Sequence, residues 1–159
     1  MRVLFVCLGN ICRSPMAHGL FLHRVAERGL TGRLRADSAG TGAWHAGEPP
    51  DPRTLATLRR HGIDLAHRAR QVVPEDFVRF DLLLAMDASN HRTLLDRAPP
   101  GSRDRVRTVL EPVGGGDVAD PYYGGPEGFE TNFAQLDRAL AAWIDHLARG
   151  DGASMKLDG

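Results

Sequence analysis

The residues richest in chemistry stand near the N-terminus, in the run Cys7-Leu8-Gly9-Asn10-Ile11-Cys12-Arg13-Ser14-Pro15. A cysteine that attacks phosphorus must do so as the thiolate, and an ordinary thiol, with a pKa of about 8.5, is mostly protonated at pH 7. A helix N-terminus supplies partial positive charge, and a neighbouring arginine supplies a whole one. A loop wrapping from a strand end into a helix start aims successive backbone N–H groups at one point, a nest for an anion. Gly9 and Asn10 tolerate the left-handed backbone that such a wrap demands. Arg13 offers a planar fork for two phosphate oxygens, and Ser14 can cap the helix while donating its hydroxyl toward the Cys7 sulfur. A lone cysteine near a lone arginine would read as a strand residue and a surface charge. Here cysteine, glycine, arginine and a Ser-Pro helix start coincide at one strand end, which disfavours that plain reading.

The elements that must position this loop are legible around it. Val3 to Cys7 is an apolar run expected as a strand buried on both faces, stopped at Leu8-Gly9-Asn10. Ser14-Pro15 opens a helix that carries Ala17, Leu20, Phe21 and Val25 at helical spacing, with Gly29 as its stop. Asp51-Pro52 repeats the start signal, with Leu55 and Leu58 predicted inward and Gly62 closing. Phe80 to Met86 reads as a second buried strand, a helix follows from about Ser89 until Pro99-Pro100-Gly101, and Val106 to Leu110 reads as a third strand. In the last helix Phe129, Phe133, Leu136, Leu140, Trp143 and Leu147 form one stripe, ended at Gly150. Residues 1–150 are expected as one domain and 151–159 as a flexible tail. The alternation of strand and helix predicts an α/β fold, a parallel sheet with helices on both faces. In such folds the active crevice lies beyond the carboxyl ends of the strands, where the Leu8 to Arg13 loop falls.

Composition narrows the function. The chain has 159 residues, 42% of them hydrophobic, with 20 Lys+Arg balanced by 20 Asp+Glu. Zero net charge argues against nucleic-acid or membrane-surface binding, which draws on a basic field. No apolar run reaches the ~20 residues of a membrane span, and the N-terminus lacks a signal-peptide pattern. Two cysteines make no disulfide framework, so the expected location is the reducing cytoplasm.

At the Cys7 to Pro15 run the chain resembles the low-molecular-weight protein tyrosine phosphatases. The likeness continues in Asp37-Ser38-Ala39-Gly40-Thr41, Trp44, Pro50-Asp51-Pro52-Arg53, His61-Gly62-Ile63 and Ala66-His67-Arg68-Ala69-Arg70-Gln71. It extends through Met86-Asp87-Ala88-Ser89-Asn90 and Asp120-Pro121-Tyr122-Tyr123-Gly124, in order, to about residue 148. The resemblance implies a four-stranded parallel sheet in a flavodoxin-like, three-layer arrangement. It also implies hydrolysis of phosphotyrosine in protein substrates through a phosphocysteine on Cys7. Catalysis falls to Cys7, Arg13 and Asp120, the last as general acid and base. Leu8, Gly9, Asn10, Ile11, Cys12 and Ser14 complete a phosphate-binding loop, in which a phosphate or sulfate ion is expected. Ile11, Trp44, Tyr122 and Tyr123 become walls for a phenyl ring. Without the resemblance, Asp120-Pro121 could equally be a plain surface turn, and Trp44 would more often be a core residue. No metal or cofactor is required. Cys12 is implied as partner of Cys7 in a reversible disulfide under peroxide.

Other signals carry less. Gly40-Thr41-Gly42 begins like a dinucleotide fingerprint, but His45 stands where its third glycine belongs. The nucleotide-triphosphate loop pattern is absent, and Gly114-Gly115-Gly116 reads as a flexible connection. Seven histidines lack the paired spacing of a zinc site, so His18, His61 and His67 read as surface or structural residues. His18 departs from the family, where an acidic residue is common, and the change is expected to act at the pocket rim. An arsenate reductase would need further cysteines outside the loop. An arginine-phosphate phosphatase would favour a hydroxyl residue in place of Ile11.

Overall fold

In the computed structural model residues 1–149 are described; the tail expected at 151–159 lies outside them. Four strands run parallel: β1 (Arg2–Cys7), β2 (Arg35–Gly40), β3 (Leu82–Ala85) and β4 (Val106–Thr108). Their order is β2-β1-β3-β4, so β1 has a neighbour on each side. Cys7 pairs with Gly40 across one ladder, and Val6 pairs with Ala85 across the other. The helices are α1 (Arg13–Glu27), α2 (Pro52–Arg60), α3 (Asp76–Arg79), α4 (Ala88–Arg97) and α5 (Pro126–Ala148).

The period of the strands explains the layers. Side chains alternate across a sheet, so Val3, Phe5 and Cys7 point one way and Leu4 and Val6 the other. The first set joins a core with Leu20, Phe21 and Leu58, and with the α5 stripe from Phe129 to Leu147. The second set packs on Phe77, Phe80 and Leu94. Helices therefore cover both faces, as the alternation predicts. The α5 stripe is buried along its length, and Trp143 donates its indole N–H to the Val109 carbonyl at 2.8 Å. That bond satisfies the one polar atom of the largest core side chain.

Several local expectations shift. Strand β2 follows from the resemblance alone, because Arg-Ala-Asp-Ser-Ala-Gly shows no apolar run. Leu55 is only half-buried, and Thr54, Thr57 and Leu58 supply the inward face of α2. Asp51 caps α2 as its position suggests, accepting the Arg53 backbone N–H at 2.8 Å. The carboxyl ends of β1 and β3 adjoin where the strand order reverses, the place at which such sheets bind ligands.

Candidate active site

The loop after β1 is built around one left-handed residue. Asn10 has φ 58°, the one non-glycine positive φ among the described residues, and is fully buried. The turn brings its backbone N–H to 3.3 Å from the Cys7 sulfur. Its side-chain amide donates to Ser14 Oγ at 2.8 Å, and Ser14 Oγ stands 2.9 Å from Cys7 Sγ. Because Ser14 already accepts from Asn10, its own hydroxyl proton is free to point at the sulfur. The Asn10 N–H and the Ser14 hydroxyl thus converge on the Cys7 sulfur. Ser14 does not cap α1: the helix begins at Arg13, Cys12 takes the cap position, and no side chain caps it. Its hydroxyl is engaged between Asn10 and Cys7 instead.

Arg13 is buried, and its Nη1 donates to Asp87 Oδ2 at 2.7 Å and to the Val118 carbonyl at 2.9 Å. Those bonds fix the guanidinium plane, and Nη2 lies 4.0 Å from Asp120 Oδ2. Asp120 is about half exposed and accepts the Tyr122 N–H at 3.1 Å within its own loop. A cleft of about 330 Å³ is lined by Cys7, Leu8, Gly9, Ile11, Cys12 and Arg13 on one side. Trp44, His45, Asp120, Tyr122 and Tyr123 line the other. All the expected catalytic and wall residues therefore meet in one place, while Asn10 and Ser14 stand behind it. Trp44 is 72% exposed, a wall rather than a core residue. Tyr122 is backed by Arg53, whose guanidinium lies 5.4 Å from the ring centre and is paired with Asp51. Arg53 in turn holds the Asp51 carboxyl below the usual carboxylate range.

The second cysteine differs from the first. Burial, followed by the charges of Asp51, Cys7 and Asp120, pushes the Cys12 thiol up to about 12. Cys12 is a neutral thiol at pH 7, and both cysteines are free.

Sequence reading missed the supports behind the loop. Asn10 Oδ1 accepts from His67 Nε2 at 2.9 Å and from the Arg70 backbone N–H at 3.0 Å. Gly40, set aside with the failed dinucleotide pattern, touches the loop itself: a side chain there would meet the Leu8 carbonyl at 2.8 Å and Asn10 N at 3.2 Å. His18 is not on the rim. It is buried, with Nδ1 3.1 Å from Ser38 Oγ and its ring edge-on to His67. Burial and then the neighbouring His67 lower its pKa to about 4, and burial also lowers that of His67. The signal available for His18 was its place one turn into α1, on the buried side with Phe21 and Val25. Asp87 could have been found as the residue ending the second apolar strand run.

A doubly covered parallel sheet whose first strand ends in a cysteine–arginine anion loop defines a class of phosphate-handling proteins. The sequence model for low molecular weight phosphotyrosine protein phosphatase matches residues 2–152, and the chain belongs to that family. A low molecular weight phosphotyrosine protein phosphatase of Schizosaccharomyces pombe is 49% identical over 140 residues, 86% of this chain and 90% of that protein. A protein tyrosine phosphatase from Entamoeba histolytica, crystallised with Hepes in the active site, superposes with a TM-score of 0.91. It is 37% identical, over 94% of this chain and 98% of its own. An arginine phosphatase from drosophila is similar too, with a TM-score of 0.89 and 33% identity, over 95% of this chain and 100% of its own. Among the described residues no helix is long and apolar enough to cross a membrane.

Proposed function

We propose that this chain hydrolyses phosphotyrosine in protein substrates, with Cys7 as nucleophile, Arg13 as phosphate clamp and Asp120 as general acid and base. The observation that carries the reading is the convergence of Cys7, Arg13 and Asp120 in a cleft walled by Ile11, Trp44, Tyr122 and Tyr123. The Cys7 thiolate attacks phosphorus; an S–P bond forms, the P–O bond to the tyrosyl oxygen breaks, and Asp120 gives that oxygen its proton. Water then attacks the phosphocysteine, Asp120 takes its proton, and Cys7 leaves as thiolate toward the Ser14 hydroxyl. Arg13 and the loop amides hold the equatorial oxygens through both steps, supplying the positive charge locally. Ile11 offers an apolar surface to a phenyl ring, which supports tyrosine phosphate over arginine phosphate. A thiol that must stay reduced to work also supports placing the protein in the cytoplasm.

Para-nitrophenyl phosphate and phosphotyrosine peptides, assayed without added metal, test the reading. Cys7→Ser should lose at least about 10⁴-fold in kcat. Full activity in Cys7→Ser would sink the mechanism, and faster turnover of phosphoarginine than phosphotyrosine would overturn the substrate.

A further inference from the structure

Behind the loop, three side chains distant in sequence come together. His18 lies on α1, Asp37 on β2 and His67 on the segment that returns toward Gly40. Each offers one ligand atom, and the three atoms lie within 4.8 Å of one another, the one such His/Cys/Asp/Glu group among the described residues.

The neighbours of His67 decide which of its nitrogens is bare. Asn10 Oδ1 is oriented independently, since it accepts the Arg70 N–H while the amide nitrogen donates to Ser14. That oxygen can only accept, so the His67 Nε2 beside it carries the proton. In the neutral ring, Nδ1 then presents a lone pair, and it faces Asp37 Oδ1 at 3.8 Å. Two acceptors face each other with a third donor atom, from His18, close by. The charge around them also favours a cation: Arg70 is shared between Asp37 and Asp76, so this trio sums to one negative charge.

We propose that His18, Asp37 and His67 bind a divalent transition metal, zinc above others, which braces the phosphate loop from behind. Two imidazoles and one carboxylate suit zinc, whereas calcium and magnesium take oxygen shells. Ligating histidines characteristically donate their second N–H to an oxygen that fixes the ring, and His67 already does so to Asn10. In a tetrahedral zinc shell ligand atoms stand about 3.3 Å apart, so the site closes by small side-chain rotations, with water in the fourth position. The site can be reached from solvent on the side of Asp37, whose side chain is 37% exposed. The metal would act on the loop through Asn10 and take no part in bond-making at Cys7. The histidines, read from sequence as merely structural, would be ligands brought together by the sheet rather than by spacing.

The probe is zinc itself, titrated calorimetrically into Cys7→Ser protein, which removes the thiolate that would compete for it. One equivalent is expected to bind and raise the Tm, with at least tenfold weaker binding in Cys7→Ser His18→Ala. Should that double variant fail to fold, ring ¹⁵N resonances of the Cys7→Ser protein give the same answer. Those of His18 and His67 should move with zinc while His23 and His61 stay in place. No uptake, uptake unchanged by His18→Ala, or shifts confined to His45 beside the cleft would each overturn the site. Cobalt(II) substitution should give a visible spectrum without thiolate charge transfer; a thiolate band would assign the metal to Cys12 and refute the proposal.

Discussion

The loop that carries Cys7 and the loop that carries Asp120 are built in opposite ways. In the first, Asn10, Ser14 and Arg13 are all buried, and each has hydrogen bonds to partners on other elements or across the turn. In the second, Asp120 is half exposed and held by one bond inside its own loop, and Tyr123 is 93% exposed. The difference follows from the two tasks. On the proposed mechanism the first loop carries a nucleophile and an oxyanion cradle, which lose rate with small displacements and so call for a scaffold that leaves little freedom. On the same reading the second loop carries an acid that must reach a leaving group and walls that must admit a protein substrate, tasks that suit a loop able to yield.

The comparison can be broken in four ways, taken from the largest expected effect downward. Asp120→Ala should slow kcat by about 10²–10⁴-fold, the worth of a general acid, while urea unfolding moves by no more than about 0.5 kcal/mol. A large stability loss there would show the acid loop to be scaffold after all. Asn10→Ala should do both kinds of harm, leaving the His67 and Arg70 N–H groups unpaired and an alanine at positive φ. Roughly 2–4 kcal/mol of stability should go, along with activity. Activity lost at unchanged stability would contradict the division.

Acid tests the rear of the loop without mutation. His18 has a folded pKa of about 4 against an ordinary 6.5, so the unfolded chain takes up its proton first as pH falls. Stability from this group is complete above about 6.5 and drains away toward about 4, by on the order of 2–3 kcal/mol, with His67 acting in the same direction. Unfolding midpoints of the metal-free protein measured across that window should fall with pH, and fall less in His18→Gln. Last, Tyr123→Ala should raise KM less than tenfold and leave kcat nearly intact, since so exposed a ring contributes little rigid contact. A collapse in kcat would move Tyr123 from the wall into the machinery.

How far the sequence could be read follows the same division. The Cys7 to Pro15 run states its chemistry because every part of an anion loop is contiguous there. The buried strands and the α5 stripe are legible because a sheet covered on both faces needs apolar runs, and a packed helix needs a 3.6-residue period. Strand β2 is illegible from its own residues, because Asp37 and Ser38 sit in it for the polar network rather than the core. Strand β4 ends at Thr108, sooner than the apolar run to Leu110 suggests, because at Leu110 (φ −85°, ψ 1°) the chain already turns into the short 3-10 helix Glu111–Val113. His18 and Gly40 each had a conventional local reading, as rim residue and failed fingerprint. In each, contacts across the fold decided otherwise, and such contacts leave no mark in spacing.

The anchoring of Arg13 also sets a timetable for biosynthesis. Its partner carbonyl, Val118, lies 105 residues downstream, and α5, which closes the core over α1, comes later still. At roughly 5–20 residues per second a ribosome needs roughly 5–20 s to travel from one to the other. Throughout that interval Arg13 has no Val118 carbonyl to donate to, and the plane of its guanidinium is not yet fixed. On the proposed mechanism, the order of translation leaves Cys7 without its phosphate clamp until the fold is complete.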